Sequence, residues 1–235
     1  MPHRFERVRP NGKPLEVRGT PMPGQPAETS VYIKQGAARL PGAWDRSTGQ
    51  GVVVAVVDSG YLNNNDLQAN LLPGYDFITD SFVSRRDSDA RVPGALDLGD
   101  WNPVAGECYA GSPVQDSSWH GTHVTGTVAQ VTNNAKGMAG GAFNAKVVPA
   151  RVLGRCGGYT SDIADGMVWA AGGTVRGIPR NANPAKVLNL SLGGQGACDR
   201  ASQAAVDGAI QNGAAGTTAL TKTGTGTITL SGTNN

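Results

Sequence analysis

Charge is scarce in this chain of 235 residues, since charged residues make up 16% of it and the formal net charge is +2. So small a net charge gives no indication of a nucleic-acid partner or of a membrane surface. No apolar run is long enough to span a bilayer. Residues 1–7 also lack the apolar core of a signal peptide. The 34 glycines are compatible with a loop-rich, secreted protein.

The length bounds the domain organisation, because 235 residues can form one ordinary α/β domain with a sizeable core. Residues 1–38 are polar, basic and rich in proline, which is typical of an extended arm rather than of a folded unit. We expect this arm to be the remnant of a pro-segment.

A continuous apolar, β-branched run occupies residues 51–57 and ends at Asp58, followed by a glycine turn at Gly60. Such a run predicts a strand that is buried on both faces, as in a parallel sheet. Function collects at the carboxyl ends of strands in open α/β sheets. Asp58 could therefore orient an imidazole; the alternative is an aspartate that caps a turn.

A helix is predicted to begin within residues 116–129. Three residues of the N-cap type precede it: Asp116, Ser117 and Ser118. Gly121 and Gly126 are poor helix formers, so they suggest that another backbone approaches closely.

His120 is predicted to lie in the first turn of this helix. The positive end of the helix dipole disfavours a protonated imidazole there, and a neutral imidazole suits a general base. Two alternatives stay open for His120 and His123. They could be two core histidines, or half of a metal site for hydrolysis.

Three blocks of the sequence resemble the subtilisin-like serine endopeptidases: residues 56–60 (Val-Val-Asp-Ser-Gly), 120–127 (His-Gly-Thr-His-Val-Thr-Gly-Thr) and 188–194 (Leu-Asn-Leu-Ser-Leu-Gly-Gly). The resemblance covers roughly residues 40–213. It implies an α/β fold with a parallel sheet flanked by helices, and an extended peptide or protein as substrate. It also implies Asp58 as the orienting carboxylate, His120 as the general base and a structural role for His123. By the same resemblance, the protein is expected to be secreted or at the cell surface.

Two further blocks of that family do not occur in the 235 residues: the Gly-Thr-Ser-Met-Ala block with the nucleophile, and the Ala-Ala-Gly-Asn block with the oxyanion-hole asparagine. We therefore expect residues 39–213 to form a partial protease domain that is inactive as it stands and poorly soluble. Residues 214–235 resemble one strand repeat of an autotransporter stalk. The alternative function is a non-catalytic, peptide-binding passenger fragment of an autotransporter; a frameshifted gene is the simpler origin for such a tail.

The resemblance also indicates where a substrate would bind. Ser191, Leu192 and Gly193 resemble the strand edge that pairs with an extended peptide. Gly157 and Gly158 resemble the opposing edge of the same cleft. Ordinary turns are the alternative for these glycines.

Calcium is the one cofactor that the resemblance suggests, in a structural role. Asp66 matches an aspartate that helps to bind Ca²⁺ in many family members, and hard oxygen ligands suit this ion. A second candidate is an acidic loop that resembles an insert of some secreted bacterial members: Asp87, Asp89, Asp97 and Asp100. Simple solvation of these carboxylates is the alternative in both places.

An odd number of cysteines in a secreted chain leaves one without an internal partner, and this chain has three: Cys108, Cys156 and Cys198. In the same bacterial subgroup, a cysteine before the histidine block pairs with one after the next strand. The resemblance therefore implies a Cys108–Cys156 disulfide.

Beyond the histidine helix, the pattern predicts alternating strands and helices, as in a parallel α/β protein. Strands are predicted at residues 145–153 and 186–191. Helices are predicted at residues 161–171 and 199–212.

Overall fold

The fold is given by a computed structural model, which describes residues 7–8, 14–15, 40–194 and 200–212. Most of the predicted arm, Cys198, Asp199 and the predicted repeat-like tail at residues 214–235 lie outside these ranges.

Seven strands occur in the described ranges: β1 (Arg7–Val8), β2 (Pro14–Leu15), β3 (Val53–Asp58), β4 (Tyr75–Asp76), β5 (Val92–Pro93), β6 (Lys146–Arg151) and β7 (Val187–Asn189). β1 and β2 form an antiparallel pair of their own. The other strands form one sheet in the order β5-β4-β6-β3-β7. β4, β6, β3 and β7 are parallel to one another, and β5 is antiparallel to β4.

The described ranges also contain five α-helices: α1 (Leu40–Trp44), α2 (Ser81–Ser84), α3 (His120–Ala129), α4 (Thr160–Ala170) and α5 (Arg200–Asn212). A 3₁₀ turn covers Gln68–Asn70. None of the helices in the described ranges has the length and apolar character needed to cross a membrane.

The interior strand β3 is covered on both faces, as its unbroken apolar sequence predicts. Val56 packs with Ala129 of α3 in one cluster. Its neighbours Ala55 and Val57 belong to the larger cluster on the opposite face, which includes Met167 of α4. Because successive side chains of a strand point to opposite faces, α3 and α4 must lie on opposite sides of the sheet.

The sequence predicted the elements themselves better than their bounds. The predicted α/β fold with a parallel sheet is confirmed, and α4 begins one residue earlier than predicted. The two predicted downstream strands are shorter than expected: β6 covers Lys146–Arg151, and β7 ends at Asn189. Ser191 therefore follows the last strand rather than belonging to it.

Candidate active site

Asp58 is the last residue of β3 and is completely buried. Its neighbours across the sheet fix its place at the carboxyl edge, where Asp58 is in register with Arg151 of β6. The backbone N–H of Ser59 donates to Asp58 Oδ1 at 2.7 Å. A buried carboxylate needs such partners, because burial without them is costly.

His120 begins α3 and contacts this carboxylate. Its Nδ1 atom lies 2.8 Å from Oδ1 and 3.0 Å from Oδ2 of Asp58. An ionised carboxylate can only accept, so Nδ1 carries the proton and Nε2 is left as the acceptor in a neutral ring. The structure thus brings together the two predicted catalytic residues in the geometry of an oriented base.

The start of α3 differs from the prediction that a polar residue caps it. The N-cap residue is Trp119, in the left-handed conformation with φ of 51°, and its side chain makes no capping hydrogen bond. Ser118 is held instead by Asp100, whose carboxylate accepts from the Ser118 N–H at 2.6 Å and from its hydroxyl at 2.7 Å. The Ser118 oxygen still accepts the His120 N–H at 3.3 Å.

The two glycines of α3 have different surroundings. A Cβ atom at Gly121 would overlap the carbonyl oxygen of Gly60, so another backbone does approach closely, as predicted. At Gly126 the nearest atom would be the side-chain Oε1 of Gln130, 3.1 Å away. The expectation of a close backbone is therefore wrong at Gly126.

A second contact, between α3 and the residue that follows β3, was not predicted. The buried hydroxyl of Ser59 accepts the N–H of Gly121 at 3.0 Å and donates to Asp97 Oδ2 at 2.7 Å. Burial raises the pKa of Asp97, against the opposing hydrogen bonds from Ser59 and Gly99. The position of Ser59 directly after the orienting aspartate was the available signal in the sequence.

Arg151 was also missed, because nothing in its strand pattern marks a buried cation. It is fully buried beside Asp58. Its guanidinium donates to the carbonyl of Ser59 at 3.2 Å, to Asp76 at 2.8 Å and to the carbonyl of Ser84 at 2.9 Å. These bonds hold the turn that follows Asp58 against the neighbouring strands.

His123 lies exposed on α3. The alternative of a metal site at His120 and His123 needs further ligands. Across the described ranges, no three residues of the His, Cys, Asp and Glu types come together as a metal-binding group.

The predicted substrate edges lie on both sides of Asp58. Ser191, Leu192 and Gly193 follow β7, and Gly157 and Gly158 follow β6. Both strands flank β3 in parallel, so both segments leave the sheet at its carboxyl edge. Ser191 and the three glycines are exposed. Gly157 and Gly154 also close a tight turn by exchanging backbone hydrogen bonds, so the turn reading applies there as well.

Asp66 is buried, and side-chain amides surround its carboxylate. Gln130 and Asn134 both donate to it through their amide nitrogens. Rotating either amide by half a turn exchanges its nitrogen for an oxygen with no change of shape. A carboxylate and two amide oxygens are ligands of the kind that Ca²⁺ prefers.

The structure does not gather the carboxylates of the acidic loop into one site. Asp97 binds Ser59 and Gly99, and Asp100 binds Ser118. Asp89 accepts the Ser81 N–H at 2.7 Å, and hydrogen bonds from Ser81 lower its pKa. Asp87 is exposed. Three of the four predicted ligands thus hold loops and helix ends in place.

A disulfide joins Cys108 to Cys156, the pairing that the resemblance implies. Cys156 directly precedes Gly157, so the bridge ties one predicted substrate edge to the loop before α3. Arg155 adds an ion pair to Glu107 between the same two segments.

The chain is similar to known proteases. Residues 49–233 match the Subtilase family. An extracellular protease of Xanthomonas campestris pv. campestris is 60% identical over 171 residues, which cover 73% of this chain and 29% of that protein. An extracellular basic protease of Dichelobacter nodosus is 54% identical over 168 residues, covering 70% of this chain and 28% of that protein.

A solved structure of a protease from Pseudoalteromonas arctica superposes with a TM-score of 0.71 at 58% identity, covering 74% of this chain and 50% of that one. The chain therefore spans less than a third of the two curated relatives and half of the solved structure. The match over residues 49–233 and the Asp58–His120 pair lead to one conclusion: this chain belongs to the Subtilase family.

Proposed function

We propose that the chain is a serine endopeptidase domain in which Asp58 orients His120 and His120 is the general base of acyl transfer. The observation that carries the proposal is the 2.8 Å contact between His120 Nδ1 and Asp58 Oδ1. The carboxylate is fully buried, whereas the His120 side chain is 45% exposed. A hydroxyl can therefore reach the ring while the carboxylate holds its orientation.

We further propose that these 235 residues alone do not hydrolyse peptides. They contain neither the Gly-Thr-Ser-Met-Ala block nor the Ala-Ala-Gly-Asn block. Removal of the nucleophile from subtilisin lowers kcat by about six orders of magnitude. Loss of one oxyanion-hole donor, in an enzyme that keeps its nucleophile, lowers kcat by about two to three orders of magnitude.

A fluorophosphonate probe tests this directly, because it reacts only with an activated serine hydroxyl. The purified chain is incubated with the probe, and its intact mass is measured against a heat-denatured sample and an active subtilase. We expect no adduct above the denatured control. A stoichiometric adduct that disappears in a His120→Ala variant would reveal a nucleophile in this chain and overturn the proposal of inactivity.

Peptide binding without turnover is the second candidate function, that of a passenger fragment that retains half of a cleft. The exposed residues Ser191, Gly193, Gly157 and Gly158, on either side of Asp58, favour it. A sheet edge binds an extended peptide through main-chain hydrogen bonds. An extended peptide should therefore bind in an equilibrium assay, and the same peptide with N-methylated amides should not. Equal binding of the two peptides, or of neither, would exclude this mode.

We propose a structural Ca²⁺ site at Asp66, with the amide oxygens of Gln130 and Asn134 as further ligands. The support is the buried carboxylate and the two side-chain amides bound to it, since amide and carboxylate oxygens suit this ion. The ion would replace the amide hydrogen bonds and tie the loop after α3 to Asp66.

We also propose that the protein is secreted. Two similar proteins are named extracellular proteases. The Cys108–Cys156 disulfide agrees with an oxidising compartment.

A further inference from the structure

The hydrogen bond between Ser59 and Gly121 indicates a role for two residues outside the Asp58–His120 pair, Ser59 and Asp97. We propose that Ser59 and Asp97 are positioning residues, which hold the first turn of α3 so that the His120 ring stays aligned with Asp58. This inference rests on the proposed role of His120 as the base. It also gives Asp97 a role other than the calcium ligand expected from the sequence.

The direction of each hydrogen bond in this chain of contacts is fixed by chemistry. The Gly121 N–H can only donate, so Ser59 Oγ accepts from it at 3.0 Å. The single hydroxyl proton of Ser59 is then free for Asp97 Oδ2 at 2.7 Å. Without Asp97, the buried hydroxyl could rotate and donate elsewhere.

Asp97 is itself held in place. Its Oδ1 atom accepts the Gly99 N–H at 2.8 Å, and its own N–H donates to the Tyr61 carbonyl at 2.9 Å. Asp97 is only 4% exposed and Ser59 only 2%. Because both groups are shielded from water, no solvent molecule readily replaces a lost partner.

The contact between Ser59 and Gly121 affects the imidazole because each of these residues is next in the chain to a member of the Asp58–His120 pair. Asp58 binds the ring of His120, and the next residue, Ser59, binds the N–H of the residue after His120. The two bonds therefore link the same pair of dipeptides. A free N–H in the first turn of a helix would otherwise have no partner in that helix. With both bonds present, a shift of α3 along Asp58 breaks the Gly121 bond.

A matched contact elsewhere in the same turn supplies the control. Thr122 Oγ1 accepts the Leu62 N–H at 2.9 Å, which also ties α3 to the segment after β3. Thr122 does not contact Ser59 or Asp97 through any hydrogen bond in the described ranges. A Thr122→Val variant thus removes one bond to α3 and leaves the Gly121–Ser59 and Ser59–Asp97 hydrogen bonds in place.

The test follows the Nδ1 proton of His120 by NMR of the whole chain with ¹⁵N-labelled histidine. The chain has three histidines, so His3→Gln and His123→Gln leave a single labelled ring. In this background we compare Ser59→Ala, Asp97→Ala, Asp97→Asn and Thr122→Val. The measured quantity is the rate at which the Nδ1 proton exchanges with water.

We expect Ser59→Ala and Asp97→Ala to raise the exchange rate about tenfold, the effect of losing one buried hydrogen bond. Asp97→Asn has a single amide oxygen, so it can accept the Ser59 hydroxyl only by giving up the bond from the Gly99 N–H. We expect a rate between those of the parent and of Asp97→Ala. Thr122→Val should leave the rate within about twofold of the parent. If Ser59→Ala does not fold, the comparison of the two Asp97 variants decides the matter.

Equal exchange rates in Asp97→Ala and Asp97→Asn would overturn the inference, as would a Thr122→Val effect as large as that of Ser59→Ala. A different result would overturn the proposed function instead. If the parent itself shows no Nδ1–H bonded to Asp58, then His120 is not an oriented base, whatever the variants do.

Discussion

Asp58 has no exposed surface, and the imidazole that lies 2.8 Å from it, that of His120, is 45% exposed. The pair thus has one member in the interior of the protein and one in contact with solvent. A buried carboxylate bound to a ring nitrogen selects the tautomer, and the exposed side of the ring is available to a reacting group.

Substitution of the two glycines of α3 should have different effects on stability. Gly121→Ala places a Cβ on the Gly60 carbonyl, so α3 must move away from β3. We expect a loss of about 2 kcal/mol or more in the free energy of unfolding. Gly126→Ala meets only side-chain atoms, of which Gln130 Oε1 is the nearest at 3.1 Å, and it removes a helix-breaking residue. It should be neutral or stabilising by up to about 1 kcal/mol.

Urea denaturation of both variants measures this difference. A Gly121→Ala variant as stable as the parent would show that α3 does not dock on the turn after Asp58 as described.

The sequence predicted the parts of the site that depend on local pattern. The apolar run before Asp58 is typical of a strand buried on both faces, as in a parallel sheet, so the strand and the position of Asp58 at its carboxyl end could be predicted. The position of His120 in a first helical turn followed from the residues around it. The parallel sheet is confirmed.

The remainder depends on contacts between distant segments. Asp97 and Asp100 are spaced like ligands in an acidic loop, yet they bind Ser59 and Ser118, which come from other parts of the chain. Ser118, a predicted capping residue, is bound by Asp100, and Trp119 is the N-cap residue of α3 instead. The sequence around Arg151 does not show that this residue is buried, because its partner Asp76 lies in a distant segment. No periodicity encodes such pairings.

Removal of the disulfide should lower stability substantially. Cys108 and Cys156 are 48 residues apart in the sequence, and a bridge across a loop of this length restricts the unfolded chain. We expect Cys108→Ser/Cys156→Ser to lose about 2–4 kcal/mol in the free energy of unfolding. Denaturation of the double variant against a Cys198→Ser control tests this, and equal midpoints would refute it.

Asp97→Asn should change how stability depends on pH. Burial raises the pKa of Asp97, so the native state binds this proton more tightly than the unfolded state does. Between the ordinary aspartate pKa of about 3.9 and the raised native value, this group makes the parent less stable as the pH rises. The variant cannot titrate there.

The free energy of unfolding of Asp97→Asn, relative to the parent, should therefore rise as the pH increases through this window. Denaturation series at several pH values measure the difference. A relative stability that stays constant, or that falls with rising pH, would contradict the direction of the shift.

Calcium should raise the melting temperature through Asp66. A ligand that binds only the native state stabilises it by mass action, by about 2.7 kcal/mol at a hundred times its Kd. We expect melting of the parent to respond to added Ca²⁺ and that of Asp66→Asn not to respond. Asp87→Asn, at an exposed carboxylate, is the control and should respond like the parent. A response retained in Asp66→Asn would place the ion elsewhere.

The ring tautomer of His120 is the most direct test of the central claim, that Asp58 orients this imidazole as a base. In ¹⁵N NMR of the neutral ring, we expect the proton on Nδ1 in the parent. In Asp58→Asn we expect it to shift towards Nε2, because an amide can donate to Nδ1. A parent ring with its proton on Nε2, or a tautomer that Asp58→Asn leaves unchanged, would contradict the account.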